Sequence, residues 1–201
     1  MLRFGQRGLV PLGLILLCTV LQLGGEAVRV ALRFDRVLID QGQAWRLLSA
    51  NFVHLGWYHW MLNALGIVIL LLLCPQPLRL RQWLTRLVVL SLGVSLGLWL
   101  WVPELARYVG LSGVLHGLFV LGLWPQARQG DRIAWVCLLY LAAKLIYEVM
   151  VGAPVSDELA IGGKVITESH LFGALSGLLY ALGGASLERR CRSTQVNKGE
   201  P

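Results

Sequence analysis

The chain has 201 residues, of which 56% are hydrophobic and only 14% charged, with a mean hydropathy of +0.65. Ordinary soluble domains carry about 25% charged residues, and a soluble fold of this composition would expose more apolar surface than water tolerates. The net charge of +7 does not point to nucleic acid, because the basic residues gather at the ends of apolar segments, where they set membrane topology.

A membrane span takes about 20 residues, so the length suits one all-α polytopic bundle of six transmembrane helices. The first apolar segment runs from about Gly8 to Leu23. Arg3 and Arg7 precede it as in a signal peptide, but no Ala-x-Ala-like site follows, so it reads as a retained helix. The second runs from about Tyr58 to Leu73, the third from Trp83 to Val102, the fourth from Ser112 to Trp124 before Pro125, the fifth from Arg132 to Val151, and the sixth from Glu168 to Ser186. The fourth is too short to cross a core of about 30 Å alone, which suits a helix that begins inside the membrane beneath a cavity or loop. Residues 1–187 form the expected membrane domain, and 188–201 an expected disordered polar tail.

Between the first two spans, Arg29, Arg33 and Arg36 recur at helical spacing, as on a helix lying in the interface. The alternation Val28-Arg29-Val30 equally permits a short strand. Tryptophans near span ends, among them Trp45, Trp57, Trp83 and Trp101, read as interfacial anchors. Arg79, Arg81, Arg86, Arg128, Arg132, Arg189, Arg190, Arg192 and Lys198 join Arg3 and Arg7 on one set of ends. The positive-inside rule then places both termini in the cytoplasm. The four cysteines, Cys18, Cys74, Cys137 and Cys191, form neither a CxxC nor a Cys/His cluster, and read as free thiols.

Polar residues within spans are costly and mark function. Gly110-Leu111-Ser112-Gly113 opens the fourth helix, where free backbone N–H groups could stabilise an oxyanion beside a serine nucleophile. The plain alternative is a serine N-cap. His170 opens the sixth span at a similar depth. Gly173, Gly177 and Ala181 follow it on one face, and Gly113 and Gly117 mark the fourth helix. Such small-residue stripes let two helices approach closely, which would bring His170 to Ser112 as its base. His116 lies one turn after Ser112 and is the competing base or a core histidine; His170 is preferred because it approaches from another helix. His59 and Asn63, at i and i+4, are candidates for an oxyanion hole or for an interhelical hydrogen-bonded pair. His54 reads as a structural bonding group, and Lys144 with Glu148 as an intrahelical i, i+4 ion pair. No residue pattern demands a metal or organic cofactor.

Trp45-Arg46, His54, His59-x-x-x-Asn63, Gly110-x-Ser112-Gly113 and His170-x-x-Gly173, in that order over residues 8–187, resemble the signature of rhomboid intramembrane serine proteases. The resemblance implies a Ser112–His170 dyad and an oxyanion hole of His59, Asn63 and the Ser112 backbone. It also implies an outer loop at the lipid surface holding Trp45 and Arg46, and a substrate gate at the fifth helix. Ser169 departs from the family's usual alanine. The run Ser112-Gly113-Val114-Leu115-His116-Gly117 is similar to the rhombosortase branch of bacterial rhomboids. Substrates of that branch would carry a single transmembrane helix within a C-terminal Gly-Gly-type anchor. Size and orientation point to a bacterial inner membrane, with the site opening to the periplasmic side. The alternative reading is an inactive rhomboid-like protein that binds membrane helices.

Overall fold

In the computed structural model the backbone is described for residues 4–153 and 155–196, and the side chains for 8–153 and 158–183. The elements are α1 (Phe4–Leu23), α2 (Gly25–Leu32), β1 (Phe34–Asp35), α3 (Arg36–Asp40), α4 (Arg46–Ser49), a 3-10 turn (Ala50–Phe52), α5 (Trp57–Leu73), α6 (Leu80–Trp101), β2 (Arg107–Tyr108), α7 (Ser112–Arg128), α8 (Arg132–Val151), α9 (Val155–Ile161) and α10 (Thr167–Val196). Among the described residues the fold is all-α apart from one two-residue ladder.

By length and composition, α6 and α8 are each long and apolar enough to cross a membrane. Two bent pairs also qualify when each is taken as one span: Gly8–Leu23 with Gly25–Leu32, bent by 113°, and Arg46–Phe52 with Trp57–Leu73, bent by 89°. That makes two to four candidate spans among the described residues, fewer than the expected six. α5 and α7 have only 17 residues each, and the side chains of α10 are described only to residue 183.

Two expected helix ends move. α7 passes through Pro125 to Arg128, although proline removes one N–H and crowds the preceding turn. In the same turn, Gln76 Nε2 and Gln126 Nε2 both donate to the Gly122 carbonyl, at 3.0 and 3.1 Å. α10 continues to Val196, ten residues past the expected end at Ser186. No glycine or proline interrupts that stretch, so helix propagates into the segment expected to be disordered; residues 197–201 lie outside the described residues.

The segment between α1 and α5 resolves the open choice in favour of helix over Val28–Val30, with the strand displaced to Phe34–Asp35. The three arginines do not share one interfacial helix, because α2 ends at Leu32. Arg36 instead turns inward and donates to the carbonyls of Leu98, Trp99, Val102 and Leu105, at 2.8 to 3.0 Å. It thereby caps the end of α6, whose last carbonyls lack partners within the helix. β1 pairs antiparallel with β2, Phe34 opposite Tyr108 and Asp35 opposite Arg107. Arg46 is buried and donates to Gln43 Oε1 and to the carbonyls of Val30 and Arg33.

The core lies where α6, α7 and α10 meet, with Leu90, Val94 and Leu98 against Val114 and Leu118. Lipid is as apolar as leucine, so close packing rather than water exclusion must hold such helices together. Glycine supplies it. A Cβ on Gly173 would sit 1.8 Å from the Gly113 carbonyl oxygen, and one on Gly177 2.5 Å from that of Gly117. Trp83, expected at the interface, is buried in this core.

Candidate active site

α7 begins at Ser112, with Leu111 in the cap position and no side-chain cap bond. Ser112 is therefore the first helical residue, and its hydroxyl does not cap the helix. The N–H groups of the first turn have no carbonyl partner within α7. The approach to Ser112 is fixed from the other side of the fold. Gly110 N donates to the Ala50 carbonyl at 3.1 Å, and the Tyr108 hydroxyl donates to the Gly110 carbonyl at 2.7 Å. Tyr108 is fully enclosed, and burial raises its phenol well above the ordinary range, so it stays a donor. Gly110 has φ +132°, and a Cβ there would lie 2.8 Å from the His59 ring. Glycine is required both by the backbone angle and by the ring.

The glycine contacts between α7 and α10 set His170 opposite Ser112. Ser112 Oγ lies 2.9 Å from His170 Nε2. His170 Nδ1 lies 2.9 Å from Glu148 Oε2, and Lys144 Nζ donates to Glu148 Oε1 at 2.7 Å. Lys144 Nζ is also 2.9 Å from His116 Nε2 and 3.3 Å from His170 Nδ1. His116 stacks on His170, with ring centroids 4.3 Å apart and planes 12° from parallel. Its Nδ1 is 2.7 Å from the Ser112 carbonyl oxygen. An imidazole that donates there and accepts from Lys144 has no nitrogen left for the Ser112 hydroxyl. The geometry therefore sets His170, and not His116, at the hydroxyl.

His59 and Asn63 are buried and line the same cavity as Ser112 and His170. Asn63 spends one N–H on the His59 carbonyl at 2.9 Å and keeps the second. His59 Nδ1 accepts from the Leu55 N–H at 3.4 Å, which leaves the proton on Nε2. His54 is buried edge-on against His59, ring centroids 5.1 Å apart. Neither of its nitrogens bonds a described residue, so it packs where bonding was expected. Trp45 is exposed on the segment between α1 and α5, and Arg46 staples that segment from within. Gly113 meets the Ser169 carbonyl across the helix contact.

The sequence reading missed the reach of the Lys144–Glu148 pair: Lys144 contacts both histidines, and Glu148 contacts His170. Their spacing predicted the internal pair, but nothing in it says which face of α8 meets α7 and α10. His116, Glu148 and His170 also present ligand atoms within 4.8 Å of one another. The point between them is taken by the Lys144 ammonium, which supplies the cation such a cluster attracts. The cavity, about 780 Å3, opens between α5 and α8, with Leu62 and Ile69 on one wall and Val136 and Tyr140 on the other.

The rhomboid domain pattern matches residues 41–186, which takes in every polar group just described. The chain belongs to the rhomboid family. Rhomboid proteins are generally serine proteases that act on membrane proteins within the bilayer, although inactive members exist. This rhomboid is a multi-pass membrane protein by the same match and its apolar helices. It is 28% identical over 162 residues to uncharacterized proteins of Mycobacterium tuberculosis and Mycobacterium bovis, covering 74% of this chain. The match spans 62% of the length of those relatives.

Proposed function

We propose that this rhomboid is an intramembrane serine endopeptidase with Ser112 as nucleophile and His170 as base. The observation that carries the reading is the 2.9 Å contact between Ser112 Oγ and His170 Nε2 at the floor of an apolar cavity. A serine alcohol is a poor nucleophile until a base within hydrogen-bond reach takes its proton. Ser112 Oγ attacks the scissile carbonyl as its proton passes to His170 Nε2, and the same proton later leaves with the amine. The oxyanion that forms is met by the Ser112 N–H, the second N–H of Asn63 and the Nε2–H of His59. The acyl-enzyme is then hydrolysed by water activated in the same way.

The apolar walls of the cavity suit a substrate helix entering from lipid. Its peptide bonds must first unwind, because helical hydrogen bonds shield them; small residues at the cleavage point ease that step. This favours proteins with a single transmembrane helix and a Gly-Gly-type C-terminal anchor, as in the rhombosortase branch. The basic residues at alternate ends favour a bacterial inner-membrane protein of six spans, with cytoplasmic termini and a site near the periplasmic face.

The test is covalent labelling of the full chain, in detergent or liposomes, with a fluorophosphonate probe and location of the adduct by mass spectrometry. Labelling at Ser112 that vanishes in Ser112→Ala and His170→Ala but persists in His116→Ala is expected. Loss in His116→Ala alone would reassign the base, and folded protein that labels with no probe would favour a helix-binding, inactive rhomboid.

A further inference from the structure

α8 is loosely held. Only Ala134 and Glu148 of its residues are buried, while Tyr140, Val149 and Met150 face outward. A carboxylate buried on such a helix is costly unless it is partnered. An i, i+4 pair with Lys144 would satisfy one oxygen. It does not account for the second, Oε2, which is aimed at His170 Nδ1.

We infer that Glu148 is a positioning residue that converts the Ser112–His170 pair into a triad; the inference rests on the serine-protease reading above. His170 Nδ1 has two neighbours with opposite demands. The Glu148 carboxylate at 2.9 Å accepts a proton's hydrogen bond, whereas the Lys144 ammonium at 3.3 Å would donate one. Only the first arrangement puts the His170 proton on Nδ1 and leaves Nε2 bare toward Ser112 Oγ. With Nδ1 bare, Nε2 would carry the proton and could not take another from the serine. Lys144 is held from that second arrangement by its shorter contacts with Glu148 Oε1 and His116 Nε2. His116 in turn stacks beneath His170 and bonds the Ser112 carbonyl.

During acylation the Ser112 proton moves to Nε2, the Oγ–carbon bond forms, and His170 becomes an imidazolium. Glu148 keeps its negative charge throughout and faces that cation through the Nδ1–H. When the carbon–nitrogen bond breaks, the Nε2 proton goes to the leaving amine, and His170 returns to the Nδ1–H form. The carboxylate thus acts twice, by selecting the tautomer and by stabilising the charged intermediate. It never touches the substrate.

The experiment measures fluorophosphonate labelling rate at Ser112, together with kcat and KM on a cleavable single-span substrate, in the full-length protein. Glu148→Gln keeps the shape and a hydrogen bond but loses the charge. It should slow labelling and lower kcat by about a hundredfold or more, with KM and the thermal midpoint unchanged. Lys144→Gln, which leaves the carboxylate–imidazole contact in place, should lose less than a tenth as much. Glu148→Gln within threefold of wild type overturns the inference. So does an equal loss in both variants, or a loss that follows the thermal midpoint, because each marks a helix tether. Should Glu148→Gln fail to fold, 15N resonances of the His170 ring in the wild-type protein decide. Protonated Nδ1 and bare Nε2 are expected, and the opposite tautomer overturns it. Wild-type protein that is folded but unlabelled at Ser112 would instead sink the serine-protease reading itself.

Discussion

At the scale of single residues, the polar groups fall into those at the hydroxyl and those at the developing oxyanion. Removing His59 or Asn63 leaves the Ser112–His170 contact in place. His59→Ala and Asn63→Ala should therefore keep the probe-reactive serine, while kcat falls by about a hundredfold each and KM changes little. A loss confined to KM would assign them to substrate binding. Much of this residue-level pattern was legible in the sequence, because Gly110-x-Ser112-Gly113, His59-x-x-x-Asn63 and His170-x-x-Gly173 carry local signals. Glu148 was not. Sequence shows its spacing from Lys144, but whether its free oxygen meets lipid, water or His170 depends on how α8 is rotated against its neighbours. His54 shows the reverse error, a polar side chain read as a bonding group that lies as a ring against His59.

At the scale of elements, the α7–α10 contact decides whether serine and histidine meet. Gly173 is its tightest point, where an added methyl would stand 1.8 Å from the Gly113 oxygen. Backbone cannot yield as a flexible side chain does. Gly173→Ala should cost about 1–3 kcal/mol in overpacking and move His170 out of hydrogen-bond range of Ser112, abolishing labelling. Gly183→Ala, on the same helix with nothing within 4 Å, should keep full labelling and lose no thermal stability. Equal behaviour of the two variants would show that the glycine stripe does not set the site. The stripe was readable because small residues at i, i+4 leave a periodic trace. The segment between α1 and α5 was less so: its elements α2, β1, α3 and α4 are too short for periodicity, and long-range bonds from Arg36 and Arg46 hold them.

At the scale of the whole molecule, a frame of apolar helices carries the buried Ser112–His170 cluster beside a cavity lined by α5 and α8. Composition was enough to place the chain in a bilayer, but not to count its spans, because bent pairs and 17-residue helices blur where one crossing ends. The central claim is that this frame cuts substrate helices within the membrane. The most direct measurement is reconstitution of the purified protein in liposomes with a single-span substrate bearing a Gly-Gly-type anchor, and identification of the products by mass spectrometry. The account predicts one cut near the outer end of the substrate helix with wild-type protein, and none with Ser112→Ala or His170→Ala. Cleavage that persists in Ser112→Ala, or an uncut substrate bound equally well by wild type and both variants, would contradict it.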